Sequence, residues 1–361
     1  MELSAIIKDT IQENGPISFC DFMEMALYYP ELGYYTSNGN PIGVKGDYYT
    51  SPQLTPVFGM LIGKQLEAMW EATGKGKFTV VEYGAGNGQL CRDIMAYLQN
   101  NSEFYDQLNY CIIEKQAAGD RELPEKVSWH HTLNDIPEIT GCILSNELVD
   151  NFSVHQVVME DELMEVFIGY DGNFTEVLQP ASQELKAYFE ELNIMLPKGY
   201  RTEINLQATQ WIAEVAKALQ KGYVLTIDYG YISSQLYSEQ KHQGTIMCYN
   251  KHTTNESWYA DIGRQDITTH INFSALCHWG FKNGLACVGL TNQADFLMRL
   301  GFKEQLRAMM MPNENIMEAV REEAFLTYTL LLDMGTKFKV LIQEKGMEAA
   351  PFQQSETLKA V

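Results

Sequence analysis

Apolar and polar positions along this chain follow two rhythms. Short apolar runs of strand type (FTVVE, LNYCII, VSWHHTL, GCILSN and GYVLTID) alternate with stretches such as CRDIMAYLQNN and NLQATQWIAEVAKALQ, in which apolar residues return every three or four positions. The first rhythm predicts buried strands and the second predicts amphipathic helices. Their succession predicts an α/β fold with a doubly wound, mostly parallel sheet and helices on both faces.

Helical periodicity is also present in LSAIIKDTI and VFGMLIGKQLEAMW near the N-terminus. The segment between them, YYPELGYYTSNGNPIGVKGDYYTSPQLTP, is too long and too rich in Gly, Tyr and Pro for a simple connector, and it predicts a lid or binding loop. LMEVFIGYDGNFTEVL predicts a hairpin turning at Asp171-Gly172. Gly222 is the expected stop of the NLQATQWIAEVAKALQ helix. The expected organisation is an N-terminal cap and lid over residues 1–75, then a core over 76–347 with insertions at about 160–203 and 232–290, then a frayed tail at 348–361.

The strand FTVVE runs directly into YGAGNGQL, so that Glu82 closes the strand and Gly84, Gly86 and Gly88 alternate after it. Glycines at a strand's carboxyl end let the chain turn tightly and bring main-chain N–H groups against a ligand. A dinucleotide fingerprint needs G-x-G-x-x-G, but Gln89 holds its last position, which weakens an NAD reading. Glu-x-Gly-x-Gly-x-Gly fits S-adenosylmethionine, which has no pyrophosphate. The next strand ends in Glu114, placed to take the ribose hydroxyls.

Composition narrows the field further. Acidic residues outnumber basic ones, 47 to 26, giving a formal charge of −21, which opposes an extended phosphate backbone and argues against nucleic-acid binding. The seven cysteines show no metal spacing and sit mostly in apolar runs, so they read as free thiols in a reducing compartment; no metal is expected. The seven histidines read as packing or loop residues, with His252 and His270 placed near the site. The N-terminus lacks a secretion or transit signature, and no apolar run is long enough to span a bilayer, so the expected location is the cytoplasm, with no membrane partner.

Two more strand ends carry acids. SNELVDN places Asn146, Glu147 and Asp150 directly after an apolar run, and VLTIDYGY does the same for Asp228 and Tyr229. Carboxylates there suit a guanidinium, whose planar fork takes paired hydrogen bonds; they equally suit capping of the next helix. Asp228 and Tyr229 are candidate substrate-binding residues.

With these residues in hand, the chain resembles the MidA family of methyltransferases, whose mitochondrial members are arginine methyltransferases needed for respiratory complex I assembly. The resemblance rests on LYYPELGYY, GDYYTSPQLTPVFG, VEYGAGNGQL, SNELVDNFSVHQ, IDYGY, GTIMCYNKH and DITTHINFSAL, in family order from about Pro16 to Phe302. It implies a seven-strand class I sheet with S-adenosylmethionine held by Glu82, Gly84, Gly86, Gly88 and Glu114. Gly46, Asp47 and Tyr48 would close over it, and Asn146, Glu147 and Asp150 would handle the acceptor. The implied partner is a protein bearing the target arginine, and a homodimer is compatible with the pattern. The chain departs from the family at Ala85 and Asn87, where Pro and Arg are usual, and in Thr245 to His252, which loses a glycine. Another acceptor, or a SAM-binding assembly factor without essential catalysis, is the alternative reading.

Overall fold

The structure, a computed structural model, describes residues 2–37, 50–114, 124–250, 253–310 and 315–347. The chain divides into two compact units. One contains residues 50–148, 212–229 and 279–361, and the other is assembled from residues 1–49, 149–211 and 230–278.

The first unit holds the central sheet. Its strands are β1 (Phe78–Tyr83), β2 (Leu108–Ile113), β3 (Val127–His130), β4 (Ile139–Asn146), β5 (Leu219–Tyr231), β6 (Ala286–Asn292) and β7 (Phe338–Lys345). They are ordered β6-β7-β5-β4-β1-β2-β3. The β5-β4-β1-β2-β3 run is parallel throughout, and β7 is antiparallel to both its neighbours. The expected seven-strand, mostly parallel sheet is therefore present. The apolar runs become strands buried on both faces: Val80, Tyr110, Ile112, Cys142, Leu144, Leu225 and Ile227 join one core, and the residues between them, Val81, Cys111, Ile143 and Val224, are buried as well.

Two helices of this unit pack against each other. Helix α1 (Pro56–Thr73) begins with Thr55 accepting from Val57 N and with Pro56 at its first position, and it ends at Gly74 in the left-handed region. Helix α2 (Gln89–Leu98) follows the glycine loop. The two pack closely because α1 presents glycine to α2: a Cβ on Gly63 would lie 2.6 Å from the Tyr97 ring.

Gly222 does not stop the helix before β5. That helix spans Leu206–Ala218 and β5 begins at Leu219, which places Gly222 inside the strand, paired with Gly141 of β4. A Cβ on Gly222 would collide with the Gly141 carbonyl, so the glycine serves close strand approach.

The second unit is built on antiparallel pairing. Strand Leu163–Tyr170 lies between Ile17–Ser18, His155–Met159 and Phe174–Pro180, and His155–Met159 also pairs with Arg201–Ile204. The expected hairpin is the Leu163–Tyr170 and Phe174–Pro180 pair, with Gly172 at φ 79° in its turn. A small sheet joins Met247–Asn250 to Thr253–Asn255 and Asp266–Thr268. The Phe19–Tyr28 helix, capped by Ser18 accepting from Asp21 N, buries Phe19, Phe22, Met23, Ala26 and Leu27. Cys20, Cys91, Cys111, Cys142 and Cys248 are free thiols, as expected; the expectation does not hold for Cys277 or Cys287.

Candidate active site

The parallel register aligns the carboxyl ends of four strands in the central-sheet unit. Tyr83 of β1 pairs with Ile113 of β2 and with Ser145 of β4, and Asn146 of β4 pairs with Ile227 of β5. The segments that leave β1, β2 and β4, 84–88, 114 and 147, therefore emerge on one edge, beside Asp228 of β5. From β1 the order runs to β2 and β3 on one side and to β4 and β5 on the other, which makes the β1–β4 boundary a topological switch point where doubly wound sheets bind ligands.

The glycine loop is shaped by its backbone. Gly84, Gly86 and Gly88 have φ of 71°, 54° and 76°. Gly84 N donates to the Ile113 carbonyl at 2.9 Å, and Gly88 N donates to Ala85 O at 2.8 Å. At 3.2 Å, Gly86 N donates to Glu114 Oε2, so the loop after β1 and the acid after β2 are joined. The loop also closes on itself, because Asn87 Oδ1 accepts from Gln89 N and Arg92 donates to Asn87 O and to Gln89 Oε1. Arg92 was not among the expected site residues. Its only sequence signal is its place in the first turn of the helix that follows the glycines.

Glu82 is almost wholly buried, and the Tyr110 hydroxyl donates to its Oε2 at 2.6 Å. Burial, reinforced by nearby Glu114, outweighs the Tyr110 hydrogen bond and Arg92, so its carboxyl is pushed up to about 7. Glu82 thus ties β1 to β2 just before the glycine loop begins. Tyr110 was missed because an apolar strand position carries no mark of the acid opposite it.

On the β4 side, Glu147 adopts φ 53°, an uncommon conformation for a side-chain-bearing residue that recurs at functional sites. Its N–H donates to Ile227 O at 2.9 Å, and Asn146 Nδ2 donates to its Oε1 at 3.2 Å. Asp228, inside β5 and one residue past its last pairing with β4, is fully buried and accepts from Tyr229 N at 2.9 Å. The Tyr229 ring packs edge-on against Phe338, with centroids 5.4 Å apart.

Asp150 falls in the other compact unit. It lies in a 3₁₀ turn, Val149–Asn151, whose backbone is gripped from several sides. Thr269 N donates to the Asp150 carbonyl, Asn205 Nδ2 to Val149 O, and the Tyr28 hydroxyl to Asn151 O. The Tyr35 hydroxyl lies 2.8 Å from Asp266 Oδ2 and 3.0 Å from Asn151 Oδ1. Gly46, Asp47, Tyr48 and His252 lie outside the described residues. The His270 ring meets Tyr231 edge-on. His155 is not simple packing, because its Nδ1 lies 2.6 Å from Glu165 Oε1.

Residues 61–291, more than half of the chain, match a family model described as "Putative S-adenosyl-L-methionine-dependent methyltransferase". The chain belongs to this family. A Burkholderia thailandensis protein crystallised with S-adenosyl-homocysteine superposes with a TM-score of 0.88 at 27% identity, covering 99% of this chain and 96% of that one. Drosophila melanogaster "Protein arginine methyltransferase NDUFAF7 homolog, mitochondrial" is 26% identical, over 96% of this chain and 86% of its own length. The Homo sapiens protein of that name is 24% identical over 96% and 84%.

The chain is therefore a SAM-dependent methyltransferase, and S-adenosylmethionine is its cofactor. The cytoplasmic location expected from the N-terminus is corrected by these relatives, which are mitochondrial proteins by name. Among the described residues, no helix is long and apolar enough to cross a membrane.

The loop fits the cofactor. Its three glycines take left-handed backbone conformations that let the main chain turn tightly after β1, and a carboxylate stands at the adjacent strand end, hydrogen-bonded to the loop.

Proposed function

We propose that this methyltransferase acts on a side-chain nitrogen of arginine in a partner protein. The observation that carries the reading is Glu147, a carboxylate held in a strained backbone conformation at the switch point and oriented by Asn146. The names of the relatives support the same acceptor.

In this reading the Gly84–Gly88 loop and Glu114 hold the cofactor, and Glu82 with Tyr110 keeps the loop in place. When bound, S-adenosylmethionine supplies an activated methyl group. What the chain must add is position and dryness, because holding the two reacting partners in line accounts for much of such a barrier. Glu147 takes the guanidinium through charge-assisted hydrogen bonds and turns one nitrogen toward the methyl donor. Asn146 fixes the Glu147 carboxylate, and Asp228 stands on the neighbouring strand. The arginine nitrogen becomes acidic only as its new bond to carbon forms, so no strong base is needed before attack.

The test is methyl transfer from tritiated S-adenosylmethionine to matched peptides containing arginine, lysine or neither. Label confined to the arginine peptides is expected. Label that persists after Arg-to-Lys replacement in the acceptor contradicts the reading.

A further inference from the structure

The helix Ile316–Thr327 runs on through a π segment, Tyr328–Asp333, and a short helix, Met334–Lys337, straight into β7, at the edge of the sheet where Phe338 pairs with Tyr229. One side of it is core, because Leu326, Leu330 and Leu331 are buried in the apolar cluster of the central sheet. The opposite side is apolar too. Ile316, Met317, Val320, Phe325, Tyr328 and Leu332 are between 56% and 74% exposed, six of the ten large hydrophobic side chains left in water among the described residues. A helix that is apolar on opposite sides is normally covered on both, and a contiguous exposed apolar patch marks an interface.

The spacing of these residues says what covers them. Ile316, Val320, Ala324, Tyr328 and Leu332 recur at every fourth position and form a ridge along the exposed side, with exposed Ala324 at its midpoint. The wider turns of the π segment keep Leu332 near that line, where α-turns would carry it further round. The ridge is symmetric about Ala324, so an antiparallel copy sets Val320 against Tyr328 and Ile316 against Leu332, each twice. The small central residue lets two backbones approach, and ridges of this kind pack into each other's grooves. Charge favours the same direction. Glu318, Arg321, Glu322 and Glu323 all precede Ala324, and from there to the end of the π segment the one charge is Asp333, so antiparallel pairing keeps the acids of the two copies apart.

We propose that this face is the interface between two copies of the chain, related by a two-fold axis that passes beside Ala324. At their exposures the six side chains leave on the order of 700 Å² in water, close to the roughly 800 Å² that each partner gives to a standard interface. Two i±4 ridges crossing at about 50° bury the middle of the stripe most deeply, which places Val320, Ala324 and Tyr328 at the centre and Ile316 and Leu332 at the two ends. The dimer does not depend on the identity of the methyl acceptor.

The experiment is sedimentation equilibrium of the full-length protein at concentrations up to about 100 μM, the weak end for an interface of this size, alongside Val320→Glu and Tyr328→Glu. The parent is expected at twice the mass of one chain. Each variant puts a charge into the apolar centre, which should weaken association by about 100-fold or more and return the mass to that of one chain, with Tm unchanged. Disulfide trapping reads the register. Under mild oxidation Ala324→Cys should crosslink between copies, and Glu322→Cys, on the other side of the helix, should not. A parent of single-chain mass throughout the range overturns the proposal without reference to any variant. So does a dimer that persists in both folded variants, or one that Ala324→Cys fails to trap.

Discussion

Gly84 and Leu148 meet so closely that a Cβ added to the glycine would sit 2.8 Å from Leu148 Cδ1. The loop leaving β1 and the segment leaving β4 thus touch at the switch point of the sheet. Gly84 also has φ 71°, so two penalties coincide at one position. Gly84→Ala is expected to cost about 1–3 kcal/mol from the left-handed backbone, with the Leu148 contact added. Denaturant unfolding measures this, and Leu148→Ala introduced into Gly84→Ala should recover the contact portion only. A Gly84→Ala protein as stable as the parent contradicts the close approach.

A second expectation concerns pH. The Glu82 and Glu203 carboxyls are both pushed by burial up to about 7, with Tyr110 opposing the shift at Glu82 and Thr245 opposing it at Glu203. In the unfolded chain both titrate in the usual carboxylate range. Between about pH 4.5 and 7 the folded state therefore holds protons that the unfolded state has lost, and stability falls as pH rises through this window. Each group contributes a slope of at most about 1.4 kcal/mol per pH unit. Urea unfolding from pH 4.5 to 8 should show the decline, and Glu82→Gln should remove part of it while leaving the Glu203 share.

The third prediction separates chemistry from folding. Glu147→Gln keeps the side chain's shape and its contact with Asn146 within reach but removes the charge that would hold a guanidinium. It should lower kcat toward an arginine peptide by about 100-fold through lost orientation. Cofactor binding and Tm should change little. Unchanged turnover removes Glu147 from the acceptor's site.

Six strands of the sheet were legible because they are local apolar runs; Ala286–Asn292, which overlaps the expected insertion at about 232–290, was not. The hairpin at Gly172 was legible because a two-strand turn is written in adjacent residues. Gly222 was misread because its partner, Gly141, is far away in the chain and glycine after a helix looks the same whether it caps or lets strands approach. The second unit was not legible as a unit, since it draws on three separated segments. Its His155 and Glu165 come from two strands, and a histidine in an apolar strand carries no sign of the acid that faces it. At the site, the glycines and Glu114 were legible from the strand-turn-helix rhythm. Tyr110, Arg92 and Leu148 were not, because their roles depend on which residue lies opposite across the sheet or the loop.

The assignment of the cofactor's place is tested most directly by calorimetric titration of S-adenosyl-homocysteine into the parent protein and into Glu114→Ala. Loss of charge-assisted hydrogen bonds to the ribose should weaken binding by about 10- to 100-fold. One-to-one binding by the parent, weakened by that amount in a variant of unchanged Tm, is the predicted result; equal affinity in the two proteins, or no binding by the parent, contradicts the account.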